Sequence, residues 1–168
     1  MHMQTIKTPV WNGEIMAIGG SNQKSLCNCT ALRKATRRVS QLYDSALEPC
    51  GLRTTQRAIL NHIARAGTPA MGDLAEALVM DRGALTHNLK PLERDGLVKI
   101  SVDPQDRRNR LIALTAQGRA RLAESEVLWA RAQRGFEASF GAAKSASLRK
   151  ALEYLVSDNF VNAFNGQS

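Results

Sequence analysis

The spacing of apolar residues predicts a mainly helical chain with one short β-hairpin. A first helix is expected from about residue 26 to 47, because apolar residues recur there at intervals of three and four. Pro49 then ends it. A second helix is expected to begin at Thr54 or Thr55, since either hydroxyl can cap it. The apolar stripe of the first helix comprises Leu32, Ala35, Val39, Leu42 and Ala46.

The centre of the chain carries two short helices joined by a tight turn. The first is expected at residues 71–78 and the second from Arg82 to about Asp95. Asp81 is a good N-cap for the second helix, and Gly96 is a typical residue at its end. The buried stripe of the second helix comprises Leu85, Leu89 and Leu92. A pair of this kind, with a polar outer face on its second member, is a helix-turn-helix.

A hairpin with a charged loop follows. Strands are expected at residues 97–101 and 110–114, where apolar residues are arranged as in a partly buried hairpin. The connecting loop carries the sequence DPQDRRNR, in which a turn-forming Asp-Pro pair precedes three arginines. Such a loop is a wing. The predicted fold class is therefore mainly α with a small β-hairpin wing (α+β), a winged helix-turn-helix with helices on both sides.

Two further helices are expected after the hairpin. Thr115 can cap a long helix that ends near Ser139, and a last helix is expected from about Ser145 to Phe164. Aromatic residues on one side of the long helix are interpreted as core and not as a ligand site. They are Trp129, Phe136 and Phe140.

Charge gives the first indication of a partner. The net charge is +8 at a pI of about 9.9, which favours a polyanion, with nucleic acid ahead of an anionic membrane surface. The sequence has no apolar run of bilayer length and no signal peptide pattern. Three cysteines make a disulfide framework improbable, so a bacterial cytoplasmic protein associated with the nucleoid is expected.

Residues 72–118 resemble the MarR family of bacterial regulators. The resemblance lies in the helix pair GDLAEALVMDRGALTHNLKPLERDGLV, the wing DPQDRRNR, the strand LIAL and the TAQG that opens the next helix. It implies a dimer whose N- and C-terminal helices intertwine, with one winged helix-turn-helix per subunit. It also implies repression, or less often activation, relieved by a small ligand or an oxidant.

The resemblance and the pattern together divide the chain into four segments. Residues 1–25 form a flexible arm, 26–50 a dimerisation helix, 51–115 the DNA-binding domain and 116–168 the C-terminal dimerisation helices. The expected partners are double-stranded DNA carrying a palindromic operator, a second copy of the chain and a small-molecule effector, with no membrane and no cofactor.

The outer face of the second central helix is expected to enter the major groove, where donors meet base edges and phosphates and an apolar group can touch a thymine methyl. The residues expected at DNA are Arg82, Ala84, Thr86, His87 and Lys90. Arg94 is interpreted as part of a solvated face. Pro91 removes one helical hydrogen bond, at a cost of about 3 kcal/mol, but the resemblance implies that the family tolerates proline there.

The wing is expected to supply arginines to the narrow minor groove, where the negative potential is enhanced. These are Arg107, Arg108 and Arg110. Asp103 and Asp106 are expected to support the wing by holding the arginines and closing the turn.

The cysteines leave two interpretations open. Cys27 and Cys29 can act as an oxidant-sensing thiol pair, although residues two apart on a helix point about 200° apart, which strains a bond between them. They can equally be small apolar residues of a dimer interface. A metal site is not expected, since Cys50 is distant in sequence and His62 has no partner.

An effector cleft is expected where the dimer-forming helices meet the winged domain. Residues 53–56 and the basic face of the first helix are expected to line it and to suit an aromatic acid. The basic residues of that face are Arg33, Lys34, Arg37 and Arg38.

Two functions of other classes are alternatives to a transcriptional regulator. A thiol redox enzyme based on Cys27 and Cys29 would lack a CxxC pair and a nearby catalytic histidine. A protein-interaction module without DNA contact is disfavoured by the arginines of the wing. The expected function is a homodimeric repressor with no catalytic residues.

Overall fold

The computed structural model describes residues 27–167, so the predicted arm at residues 1–25 lies outside the described residues. The described chain contains seven α-helices and one two-stranded antiparallel sheet. The helices are α1 (Asn28–Leu47), α2 (Thr54–Ala66), α3 (Met71–Ala77), α4 (Arg82–Arg94), α5 (Ala116–Phe140), α6 (Ala142–Leu155) and α7 (Asp158–Asn165). The strands are β1 (Val98–Val102) and β2 (Arg110–Leu114).

The helix-turn-helix is formed by α3 and α4, as predicted. The Asp81 carboxylate accepts a hydrogen bond from the backbone N–H of Ala84 at 2.7 Å, which caps α4. Gly96 takes a positive φ of 70° just beyond α4. The helix continues through Pro91, and its leucine stripe is fully buried in the core.

The hairpin lies against the helix-turn-helix at its base. Val98 pairs with Leu114 and Val102 with Arg110, so β1 begins one residue later than predicted. The backbone N–H of Ile112 donates to the carbonyl of Pro69 at 3.0 Å, and Leu111 bridges to Ala70. The wing is thereby held beside the start of α3.

Thr115 begins α5 and fastens it to the end of the helix-turn-helix. Its hydroxyl oxygen accepts from the backbone N–H of Gly118 at 2.9 Å, and the same hydroxyl donates to the carbonyl of Gly96 at 2.6 Å. A Cβ at position 118 would lie 1.9 Å from the carbonyl oxygen of Leu97, so only glycine fits there.

The contact between α2 and α5 is built around a buried arginine. Arg57 is only 5% exposed, and its Nε donates to the Ser125 hydroxyl at 3.1 Å. Its guanidinium pairs with the Glu126 carboxylate and lies 4.2 Å from the ring centroid of Trp129. Trp129 in turn contacts Tyr43 of α1, with ring centroids 4.8 Å apart. One cluster therefore joins α1, α2 and α5.

The predicted cap of α2 is wrong. The helix begins at Thr54, with Arg53 as its N-cap residue, and neither threonine caps it. Instead, the backbone N–H and the hydroxyl of Thr54 donate to the Asp44 carboxylate at 2.6 and 2.7 Å. The hydroxyl of Thr54 is thus a donor to α1, because a carboxylate from another helix is a stronger acceptor than a local turn can offer.

The single last helix predicted from Ser145 to Phe164 is also wrong. The chain forms α6 and α7, separated at Val156 and Ser157. Ser157 has an extended backbone with ψ of 152°, and its hydroxyl accepts from the backbone N–H of Phe160 at 3.3 Å. Helix α6 therefore ends before Ser157, because the side chain of this serine caps α7 instead of lying within a continuous helix.

The aromatic residues of α5 are core only in part. Trp129 and Phe136 are half-buried, whereas Phe140 is 43% exposed within the single chain. Phe136 and Phe140 contact one another, with ring centroids 5.5 Å apart, and line a groove between α1 and α5. The apolar stripe predicted on α1 is likewise mostly exposed.

The turn of the helix-turn-helix contains a strained residue. Val79 has a φ of 52° and is 70% exposed. The left-handed conformation costs an ordinary residue about 1–2 kcal/mol, and a β-branched side chain is especially disfavoured there.

We predict that Val79→Gly stabilises the protein by about 1 kcal/mol, because glycine adopts this φ without steric cost and little buried area is lost. Urea unfolding at a fixed protein concentration measures the change. The control is Ala64→Gly, at an exposed position of α2, where a loss of up to about 1 kcal/mol is expected because glycine is a poor helix former. Destabilisation by Val79→Gly would contradict the strain argument.

Candidate nucleic-acid interface

The outer face of α4 presents a set of polar side chains. Four of the five residues predicted to contact DNA on this helix are exposed, and the fifth, Ala84, is half-buried. The hydroxyl of Thr86 donates back to the carbonyl of Arg82 at 2.7 Å. The exposed four are Arg82, Thr86, His87 and Lys90.

The predicted hydrogen bonds of the wing are present. The Asp106 carboxylate accepts from the backbone N–H of Arg108 at 3.0 Å and from its Nε at 3.2 Å. These bonds, the backbone one foremost, hold the pKa of Asp106 below its ordinary value. The Asp103 carboxylate accepts from the backbone N–H of Gln105 at 2.8 Å. Both acids therefore act within the loop.

The three wing arginines differ in their surroundings. Arg108 is held by Asp106, and the Nη1 of Arg110 donates to the carbonyl of Arg107 at 3.2 Å. The side chain of Arg107 is exposed, and within residues 27–167 it has no hydrogen bond or ion pair. Arg107 thus keeps all of its donors available at the tip of the loop.

A cleft of about 710 Å³ brings the helix and the wing together. Arg82 from α4 and Arg108 and Arg110 from the wing all line it. A Cβ at Gly72 of α3 would lie 3.2 Å from Nη2 of Arg82, so the small residue leaves room for that guanidinium. A cleft lined by three arginines suits phosphate oxygens.

A second cleft, of about 660 Å³, lies between α2 and α4 beside the end of α1. Arg53, Thr55 and Gln56 line this cleft, and all three belong to residues 53–56, which are expected to line an effector cleft. From α1 the cleft is lined by Asp44 and not by the basic residues of its outer face. The other lining residues come from α4 and are His87, Asn88, Lys90, Pro91 and Arg94.

Sequence reasoning missed this double use of α4. His87 and Lys90 belong to the outer face of α4 and also line the cleft. Arg94, which is predicted to lie on a solvated face, lines the cleft as well. Arg94 donates through Nε to the neighbouring Asp95 at 2.8 Å. The sequence shows that basic residues recur along α4. It does not show which other helix packs beside them.

The two N-terminal cysteines lie at the start of α1 and are exposed. Hydrogen bonding from Thr30, by its side chain first and its backbone second, lowers the pKa of the Cys27 thiol, which caps the helix. Cys50 is buried, and its thiol donates to the carbonyl of Leu47 at 3.0 Å. In the part of the chain that the structure describes, no group of three or more metal-ligating side chains comes together.

Within the described range, none of the helices is both long enough and apolar enough to span a bilayer.

Comparison with known proteins identifies the family. The model of the MarR family matches residues 51–109. The transcriptional regulator MosR of M. tuberculosis, solved in complex with DNA, is 38% identical with a TM-score of 0.65, and the match covers 76% of this chain and 97% of that one. The repressor CouR, solved bound to a 23-mer DNA duplex, is 26% identical with a TM-score of 0.72, and the match covers 82% and 100%.

A curated relative gives a shorter match. The transcriptional activatory protein BadR of Rhodopseudomonas palustris is 42% identical over 77 residues, which is 44% of each protein. The chain spans about half the length of the curated relatives that it matches. The fold is a winged helix-turn-helix, and the chain belongs to the MarR family of transcriptional regulators.

Asp44 is the acidic residue that joins α1 to α2 beside the second cleft. Partial burial raises its pKa, but the hydrogen bonds from Thr54 and the charge of Arg53 outweigh this and hold the pKa below 3.8. A depressed pKa in the folded state means that the carboxylate stabilises the fold above pH 3.8, and that this stability is lost as the pH falls through the folded value.

We predict that Asp44→Asn lowers the free energy of unfolding by about 1.5–3 kcal/mol at pH 7, because a charged acceptor is lost. The difference from the unmodified protein should shrink as the pH falls below 3.8. Urea titrations between pH 3 and 7 measure it, with Glu153→Gln on the exposed face of α6 as the control. A difference independent of pH would show that the charge of Asp44 does not contribute.

Proposed function

We propose that the protein is a sequence-specific regulator of transcription that places α4 in the major groove of duplex DNA and its wing in the adjacent minor groove. The observation that carries the proposal is one cleft lined by Arg82 from α4 and by Arg108 and Arg110 from the wing, while Arg107 stays exposed at the tip. Relatives with the same fold, MosR and CouR, have been solved with DNA.

The proposed assembly is a homodimer on a palindromic operator. Large apolar side chains are exposed on α1, α5, α6 and α7 of the single chain, which is typical of a surface that another copy covers. They are Leu32, Leu42, Val127, Phe140, Leu148, Leu152, Tyr154, Val156, Val161 and Phe164. Residues 26–50 and 116–168 are accordingly assigned to dimerisation and residues 51–115 to DNA.

Repression is the proposed outcome of binding, with the bacterial nucleoid in the cytoplasm as the place of action and with no catalytic role. CouR is described as a repressor and BadR as an activatory protein, so relatives include both signs of control. A reporter gene placed behind the bound promoter gives the sign directly, because a repressor lowers its expression.

Arg107→Ala tests the DNA contact of the wing. We expect affinity for duplex DNA to fall about tenfold, and the slope of log affinity against log salt to become shallower, because fewer counterions are released. Fluorescence anisotropy across a salt series measures both. Arg131→Ala on α5, an exposed arginine outside the interface, is the control and should bind like the unmodified protein. A flat salt response of the unmodified protein would favour a protein-interaction module.

Asp106→Ala tests the support of the wing. Although the substitution removes a negative charge beside DNA, we expect several-fold weaker binding, because Arg108 loses the acceptor for its backbone N–H and its Nε. Asp73→Ala is the matched control, since this carboxylate lines the same cleft without holding an arginine, and its removal should tighten binding slightly. Tighter binding by Asp106→Ala would contradict the supporting role.

An effector site is proposed in the cleft between α2 and α4. The cleft is lined by the basic side chains of Arg53, His87, Lys90 and Arg94, with Asp44 as the acid among its lining residues and Asp95 paired to Arg94 beside it, and this excess of basic groups suits an aromatic carboxylate. Because His87 and Lys90 are also proposed to contact DNA, an anion there would compete with DNA for them. Release of DNA by benzoate or a hydroxybenzoate, lost in Arg53→Ala, supports the site, and release that survives Arg53→Ala contradicts it.

A thiol signal is a second candidate, favoured by the lowered pKa of exposed Cys27. In this scheme the thiolate attacks hydrogen peroxide, hydroxide leaves, and the sulfur becomes a sulfenic acid. Iodoacetamide should alkylate Cys27 readily near pH 8, because the lowered pKa of its thiol raises the share of thiolate. Peroxide should release DNA from Cys29→Ser but not from Cys27→Ser, and the reverse pattern would exclude Cys27.

A further inference from the structure

Thr86 lies on the exposed face of α4, one turn after the residue that begins the helix. Its Oγ1 is 2.7 Å from the carbonyl oxygen of Arg82. A carbonyl oxygen carries no hydrogen, so the hydroxyl must be the donor in this pair. The single proton of the Thr86 hydroxyl is therefore committed to the backbone of its own helix.

This commitment limits which base edges the hydroxyl can bind. In the major groove guanine offers only acceptors, thymine offers the O4 acceptor beside its methyl group, and adenine offers an acceptor and a donor. A hydroxyl whose proton is already used cannot donate to guanine, to thymine O4 or to adenine N7. With this bond in place, Thr86 does not donate to those atoms, and its hydroxyl oxygen keeps only lone pairs that can accept from adenine N6 or cytosine N4.

The same hydrogen bond fixes the position of the methyl group. Threonine has a stiff χ1 because its Cβ is branched, and the bond to Arg82 turns the oxygen back towards the preceding turn. The methyl group then takes another tetrahedral position on an exposed residue of the face that is proposed to meet DNA. Among the four bases only thymine presents a methyl group in the major groove.

We propose that Thr86 recognises a thymine of each operator half-site through its γ-methyl group and not through its hydroxyl. The inference rests on the proposed function and assigns a base to one residue of that interface. His87 and Lys90 supply charged or polar contacts on the same face. Asn88 is half-buried on this helix, and one N–H of its amide donates to the carbonyl of Ala84 at 2.8 Å.

The test uses duplexes selected by the unmodified protein from a random pool, in which each thymine is replaced in turn by uracil. Uracil differs from thymine only by the missing methyl group. At one position of each half-site, uracil should weaken binding about fourfold, the factor expected for burial of one methyl group. Thr86→Val, which keeps a γ-methyl group and loses the hydroxyl, should keep this sensitivity to uracil at the same position.

Thr86→Ser is the converse variant, since it keeps the hydroxyl and loses the methyl group. It should bind the thymine duplex about fourfold more weakly and become insensitive to uracil at that position. The inference is overturned if Thr86→Ser keeps the sensitivity to uracil while Thr86→Val loses it, or if no thymine position responds to uracil. Failure of the unmodified protein to select any duplex contradicts the proposed function itself, and the inference with it.

Discussion

A buried guanidinium needs partners for its charge and for its N–H groups, and Arg57 finds them only where α2 lies against α5. Ser125 and Glu126 accept its hydrogen bonds, and Trp129 covers its face. If α2 moved away from α5, the arginine would lose these partners together. The contact therefore fixes the winged helix-turn-helix relative to the long helix α5 that follows it.

Helix α4 and the wing, which are proposed to contact DNA, depend on this contact through short connections. From α2 the chain leads into α3, and the carbonyl of Pro69 between them accepts from Ile112 of the hairpin. At the other end of the domain, Thr115 bonds to the carbonyl of Gly96, so that α5 starts where α4 has just ended. Helix α4 and the wing are therefore connected at one end to α2 and at the other to α5, the two helices that Arg57 joins.

Features that depend on neighbours in sequence were predictable. Asp81 and Asp106 act on residues two or three positions away, and both sets of hydrogen bonds are present as expected. Features that need a distant partner were not. Thr54 is predicted as a helix cap but donates to Asp44 instead. This acceptor could not be foreseen, because it lies ten residues earlier on another helix. Arg57 carried a usable signal, since it is three residues before Leu60 on the buried side of α2.

The candidate site shows the same division. The wing is a local turn, so its arginines and their supporting acids could be named from eight consecutive residues. The effector cleft depends on how α4 packs beside α2, and no sequence pattern showed that His87 and Lys90 would line it. The break before α7 also escaped prediction, because Ser157 can sit within a helix or cap one.

The central claim is that a rigid junction at Arg57 presents two winged helix-turn-helix units to DNA at one fixed separation. The direct measurement is affinity for a series of duplexes in which zero to five base pairs are inserted between the half-sites. The account predicts a steep loss of affinity with each inserted base pair, because each pair rotates one half-site about the DNA axis. Affinity should fall less steeply with insertion length for Arg57→Met than for the control Arg65→Met. A flat profile for the unmodified protein, or identical profiles for Arg57→Met and the unmodified protein, would contradict it.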